Sequence, residues 1–349
     1  MVNPIPSPDA IPVGWWWFQV LLLFTFLVHV ILMNFMLGGS LLAVLGILRN
    51  RNTGQESLTI PVLVALTINF GIPPLLFVQV LYGHLFYSSS IVMAVPWILV
   101  IPILIMAYYG AHVFAHRLAG NPVLAKTTLA VSALLLLAIA FVFVNNNTLV
   151  LTPARWGSYF RHPGGMALNI GERTLFPRYL HFLVGAVAVA GLGKATWFRF
   201  SKNMDEDRQK EGIHDGLRTF GIMTIAQIAI GIWFWLSLPE HIWKLFMGGN
   251  IAYTVLMLAG WLLALLVLHS SFSNRYWVAL ATGLSTLAIM VVVRDLVRQA
   301  YLDKVFHPKD LLVTGESSPL VAFLGIFIVG LFFLGYMIRI AVKPETEKP

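Results

Sequence analysis

The chain is a succession of apolar runs, most of them about as long as one helix needs to cross the hydrocarbon of a bilayer, roughly 20 residues. Nine can be marked, near 15–48, 58–85, 91–117, 123–146, 177–200, 217–242, 251–271, 276–297 and 319–342. Hydrocarbon gives a bare backbone nothing to hydrogen-bond with, so each run must satisfy its own peptide groups as a helix. The expected fold is therefore an all-α integral membrane protein of about nine transmembrane helices. Residues 1–349 read as a single polytopic domain, with no internal repeat of 20–50 residues and no linker to a soluble unit.

Charge supports this and narrows the function. Charged residues are 11% of the chain, against about 25% in soluble domains. The absence of cysteine removes disulfides, thiolate-held iron–sulfur clusters and covalent c-type haem attachment. A net charge of +8 raises nucleic acid as a partner, but the basic residues gather at helix ends, where they anchor and orient the bundle in lipid. The segment Met1 to Val13 has no basic stretch ahead of its apolar run and is not expected to be a cleavable signal peptide. Trp15, Trp16 and Trp17 mark an aromatic belt. With the N-terminus outside, fourteen Lys and Arg fall inside (Arg49, Arg51, Arg117, Lys126, Lys194, Arg199, Lys202, Arg208, Lys210, Arg218, Arg275, Arg339, Lys343 and Lys348) and nine outside. The expected placement is a bacterial inner membrane, N-terminus out and C-terminus in.

Two connections stand out: a Gly/Pro/Arg-rich outer loop over 147–176 and a charged inner loop over 201–216. Pro73, Pro74, Pro96 and Pro102 are expected to kink spans two and three and so help open a space between helices.

None of the 15 carboxylates lies in the middle of a long apolar run, whereas several histidines lie within or at the ends of such runs. That asymmetry suits cofactor ligation better than cation binding or proton relay. His29 follows Trp15 by 14 residues, about 20 Å down a helix, too deep to reach water. It serves either as an interhelical hydrogen-bonding group or as an iron ligand. His181 lies on the first turn of span five, four residues after Pro177, with Gly185 one turn below on the same face. A small residue there either leaves room for a flat macrocycle or serves tight helix packing.

Haem iron commonly takes two axial ligands, and His/Met pairs recur. Met257 enters span seven at a depth similar to His181, so it is the candidate second ligand, with core filling as the alternative. His84 and His241, at the outer ends of spans two and six, are rival partners. His112 and His116, one turn apart on span three, and His269 form an inner group. A zinc site there would want a further Cys, Asp or Glu. Arg294 and Arg298 are one turn apart beside Asp295. Two guanidiniums on one face repel unless an anion lies between them; a haem propionate fits, and a local pair with Asp295 is the alternative.

Taken together, several stretches resemble subunit I of the cytochrome bd quinol oxidases. They are His29 to Gly38; Ile68-Asn69-Phe70-Gly71 with Gln79-Val80-Leu81-Tyr82-Gly83; Tyr159-Phe160-Arg161-His162-Pro163-Gly164-Gly165; Arg178-Tyr179-Leu180-His181; Met257-Leu258-Ala259-Gly260; and Val297-Arg298-Gln299. Their order matches the family's, and the likeness is closest over spans one to five. The resemblance implies haem b, with His29, His181 and Met257 as iron ligands and a quinol substrate.

The departures matter as much. Span three, Trp97 to Tyr109, has none of the acids that the family carries near its oxygen-reducing haems. No acid precedes Asp295 where the family supplies a glutamate ligand. The family's long quinol loop shrinks to Leu238–Lys244. Oxygen reduction needs protons delivered to a buried centre, so electron transfer is the expected activity. The expected protein is a haem-b subunit, with one or two haems, taking electrons from quinol and passing them to an outer-face partner. A c-type cytochrome fits that role, and a second membrane subunit is expected. Glu240, His241 and the loop from Arg155 to Arg173 are placed to border a quinol pocket. The alternatives are a bd-type quinol:oxygen oxidase and a cofactor-free transporter or membrane anchor.

Overall fold

A computed structural model describes residues 5–49, 58–160, 163–201 and 204–342. Arg51, Arg161, His162, Lys202, Lys343 and Lys348 lie outside the described residues. The helices are α1 (Trp15–Leu48), α2 (Ile60–Val92), α3 (Ala94–Arg117), α4 (Pro122–Leu151), α5 (Leu175–Phe200), α6 (Glu206–Ser237), a single turn α7 (Glu240–Trp243), α8 (Ile251–Phe272), α9 (Tyr276–Leu302) and α10 (Ser318–Val342). Among the described residues eight helices are long and apolar enough to cross a membrane, and α10 is apolar over Ser318–Phe333. The protein is an all-α integral membrane protein. The single turn α7 and the termini of the long helices nearest Trp15 share one end of the bundle, called here the Trp15 end.

Several boundaries differ from the expected ones. The charged segment expected as a loop over 201–216 is mostly the start of α6. Asp205 caps it by accepting the Arg208 backbone N–H (3.4 Å), and Glu206 and Asp207 sit in the first turn, where the helix dipole favours negative charge. The helix α4 continues to Leu151 and α9 to Leu302, five residues beyond the expected ends of their runs. The helices α2 and α3 meet at Met93 with no loop between them. Pro96 therefore falls in the first turn of α3, whose backbone N–H groups have no intrahelical partner to lose. Pro73 and Pro74 lie inside α2, but its non-helical residue is Tyr82 (φ −131°, ψ 23°).

Close backbone approach organises the bundle around α5. On α1, a Cβ at Gly38 would overlap the Ala186 carbonyl, so α1 and α5 touch at the backbone. On the other side α5 runs antiparallel to α6. A Cβ at Gly191 would stand 2.9 Å from the Gly216 carbonyl, and one at Gly216 would stand 2.6 Å from the Ala195 nitrogen. Lipid exerts no hydrophobic force between helices, so such small-residue contacts carry the packing. An ion pair, Lys194 Nζ to Asp215 Oδ2 at 2.6 Å, closes the end of the pair away from Trp15. The helix α6 in turn packs on α8, α8 on α9, and α9 returns to α1. This leaves the Trp15-end halves of α1, α5, α6 and α9 around a common interior.

Gly38→Leu is expected to lower the melting temperature of the detergent-purified protein, at an overpacking cost of about 1–3 kcal/mol. Gly39→Leu, where an added Cβ meets nothing within 4 Å, is expected to leave it unchanged. Equal effects at the two positions would contradict the α1–α5 contact.

A candidate cofactor site at the Trp15 end

The α5–α6 register decides what surrounds His181. It sets Arg178 against Phe234, with the guanidinium 4.8 Å from the ring centroid, and His181 against Gly231. There a Cβ would stand 3.1 Å from the imidazole Cε1 and 3.4 Å from Nδ1. One turn further in, Gly185 faces Gln227, whose Nε2 lies 3.1 Å from where a Cβ would be. Of the two readings of Gly185, room for a macrocycle and tight helix packing, the structure shows the second: the space beside it holds the Gln227 amide. Gly231 of α6 is filled likewise, by the imidazole itself.

The polar atoms here are buried and short of partners. His181 Nδ1, Gln227 Oε1, Trp235 Nε1, and Nε and Nη2 of Arg178 have none. Nearly all buried polar groups in proteins are hydrogen-bonded, so such a concentration on two facing helices marks a place built to receive something. Four of these five atoms are donors or, in the case of imidazole, able to be one; the group they suit is rich in acceptors.

The helix α9 brings the remaining charge. Asp295 is only 3% exposed, because α9 runs on past it for two turns. Its Oδ2 accepts Gln19 Nε2 of α1 (2.6 Å) and Gln299 Nε2 (2.7 Å), and it pairs with Arg298. Arg298 also lies over the Tyr82 ring, 4.3 Å from its centroid. Arg294 turns the other way, over Phe26 of α1 (4.4 Å) and towards Asn147 Oδ1 of α4 (3.4 Å). The local pair with Asp295 is thus made by Arg298, and Arg294 does not share it. Arg178 and Arg298 both act on Arg294 through space. Three guanidiniums therefore share the interior with Asp295. Glu172, the next carboxylate near Arg178, is held by Arg155 at 3.3 Å. These arginines lie towards the ends of α5 and α9, and together they bring more guanidinium than carboxylate to this interior.

Met257 of α8 and Phe234 of α6 both pack against one buried cluster, Leu238, Ile242, Phe246 and Val297, and Phe234 is the ring tilted beside His181 at 6.1 Å. The helix α6 contacts both α5 and α8. His29 is separate from this cluster. Its Nδ1 lies 3.2 Å from the Thr67 carbonyl, and its ring packs on Gly71, where a Cβ would stand 2.9 Å from Cε1. A carbonyl only accepts, so Nδ1 carries the hydrogen and Nε2 keeps the lone pair, the arrangement found in metal-ligating histidines. Phe26, one turn earlier on α1, is the ring under Arg294.

The other histidines are used differently. His84 packs on Phe306 (4.4 Å). His112 meets Tyr108 edge to face (4.5 Å), and its carbonyl lies 2.9 Å from His116 Nδ1. His241 and His269 are exposed. Among the described residues no three His, Asp or Glu side chains form a group able to hold a metal ion.

Sequence reasoning passed over Asn145, Asn146 and Asn147, three consecutive amides near the end of α4. They point three ways. Asn145 Oδ1 accepts the Asn169 backbone N–H (3.0 Å), Asn146 bonds Ser89 and Ser90 of α2 (3.3 and 3.2 Å), and Asn147 meets Arg294. Adjacent amides in an apolar run were themselves the available signal, since polar groups at that depth rarely stand idle. Asn169 also bonds Thr148 and Thr152 (3.2 and 3.1 Å) and takes Arg155 Nη1 (3.0 Å). These bonds fix the loop before α5 against α4 and leave a cavity of about 490 Å³ lined by Leu149, Ala154, Arg155, Gly157, Ala167, Leu168 and Asn169. Glu240 and His241 lie elsewhere on this surface, with Glu240 paired to Lys244 at 2.6 Å.

No protein-family model matches the chain, and no curated protein matches it significantly.

Asp295→Asn is expected to destabilise the protein by about 3–5 kcal/mol, the cost of removing one partner from a buried ion pair. Glu206→Gln, which breaks an exposed pair with Lys210, is expected to leave the melting temperature unaltered. Comparable melting curves for the two variants would contradict the burial of the Asp295–Arg298 pair.

Proposed function

We propose that this protein is a haem-b membrane subunit that takes electrons from quinol and delivers them to a redox partner at the Trp15 face. The observation that carries the reading is the surplus of buried guanidinium charge and orphaned donors around one imidazole, inside a bundle of membrane helices. A b-type haem answers each part: iron for the imidazole, two carboxylates for the arginines, and an apolar macrocycle beside Phe234. Bound there, it supplies one-electron transfer. His181 would hold the iron, with Met257 as its second ligand; Arg178 and Arg294 would meet the propionates, and Arg298, expected there from the sequence, stays with Asp295. His29, with Nδ1 already committed to Thr67, would hold a second haem.

The remaining parts follow from position. Quinol would enter at the cavity bounded by Leu149, Ala154, Ala167 and Leu168, with Arg155 and Asn169 as polar contacts for its head group. The N-terminus would face outward, in a bacterial inner membrane, which puts this cavity and His181 on the side where a c-type cytochrome or a second membrane subunit can approach. The resemblance to cytochrome bd subunit I supports haem and quinol together. It supports oxygen reduction less, because both oxygens of Asp295, the one buried carboxylate on α9, are engaged by Gln19, Arg298 and Gln299.

A pyridine haemochrome assay tests this on protein purified from a haem-replete host. Haem b bound to the wild type, with low-spin absorbance lost in His181→Ala and no cyanide-sensitive oxygen uptake, is the expected result. A folded wild type without haem would refute the proposal. A His181→Ala variant that keeps all its low-spin absorbance would refute the ligand assignment.

A further inference from the structure

We infer that Gln227 is the positioning residue of His181: its amide oxygen accepts the imidazole Nδ1–H and so fixes Nε2 as the nitrogen that faces the bundle interior. The inference rests on the haem reading for its consequence, but its geometry is independent of it. The imidazole meets α6 with its Cε1–Nδ1 edge, because those are the ring atoms that a Cβ at Gly231 would contact. Nδ1 is buried and has no partner there. About one helical turn from Gly231, on the same face of α6, lies Gln227, whose Oε1 is also buried and also lacks a partner. A donor and an acceptor, each orphaned, thus stand on facing helices one turn apart.

The glycines make the meeting possible. Gly185 leaves the space in which the Gln227 amide lies, and Gly231, having no side chain, lets the Cε1–Nδ1 edge of the imidazole lie directly against α6, one turn from that amide. Neighbouring turns of a helix carry their side chains about 5–6 Å apart, a span that the long glutamine side chain covers by rotation about its own bonds. The neighbouring Arg178 and Trp235 offer only donors and cannot accept from Nδ1. Gln227 is therefore the group beside His181 that can select the tautomer, as Thr67 does for His29 through its backbone carbonyl. An orienting acceptor of this kind also makes the far nitrogen more electron-rich and strengthens its hold on a metal, and its loss typically weakens metal affinity 10- to 100-fold.

Redox titration of the purified haem protein tests this with Gln227→Met and Gln227→Glu. The methionine fills the same space without an acceptor, so the midpoint potential of the His181-linked haem is expected to rise and haem affinity to fall by about 10- to 100-fold. The glutamate keeps an acceptor and adds charge, so the potential is expected to drop below the wild-type value with the haem retained. A purely packing role would move occupancy in both variants and would not drive the potential in opposite directions. Potentials that stay at the wild-type value, or move the same way in both, would overturn the inference while leaving the haem reading intact. A wild type without haem would instead overturn that reading, and this inference with it.

Discussion

The contact on which the structure depends is the backbone-level approach of α5 to two neighbours at once. Gly38 admits Ala186 on one side, and Gly191 and Gly216 admit each other's helix on the other. Such contacts tolerate almost no slippage, because a register shift would bring a side chain where only a hydrogen fits. The consequence propagates along the α5–α6 pair towards the Trp15 end. There the same register presents Gly231 to His181, Gln227 to Gly185 and Phe234 to Arg178. The chemistry at that end is therefore a product of packing decided some turns away, with no local loop to adjust it.

Charge is the second organising element, and it pulls against the first. The interior at the Trp15 end holds Arg178, Arg294 and Arg298, and its buried carboxylate, Asp295, is paired to Arg298. Arg298 is satisfied by that carboxylate and by the Tyr82 face. Arg294 is tied by a ring on α1 and an amide on α4. Gln19 reaches Asp295 from α1 as well. The polar bonds thus join α1, α2, α4 and α9 across the interior that α5 and α6 border from the other side. The proposed haem, with its two propionates, would offset this surplus of guanidinium.

Much of the fold is legible in the residues, because apolar runs of membrane length admit little else. What the runs do not reveal is where helices outlast them. The polar residues from 206 onward read as loop, yet Asp205 caps a helix through them. Asp295 reads as lying near a helix end, yet two more turns follow and bury it. The kink was expected from prolines and appears at Tyr82, where Arg298 lies on the ring. At the site, His181 and His29 are conspicuous as lone imidazoles in apolar surroundings, and Gly185 beside His181 is visible as a small residue. That Gln227 would occupy the space at Gly185 depends on the α5–α6 register, which a single sequence does not state. The same holds for the split between Arg294 and Arg298. They are identical in kind and one turn apart, and only the neighbours on α1, α2 and α4 tell them apart.

The proposed place of the porphyrin is between α5, α6 and α9, beside His181. A cryo-EM map of the purified protein in a lipid nanodisc would show it. The expected result is a flat density joined to the His181 imidazole, with two arms reaching towards Arg178 and Arg294. Acyl-chain density in that space, or side chains closed over it with Arg178 and Trp235 paired to each other's helices, would contradict it.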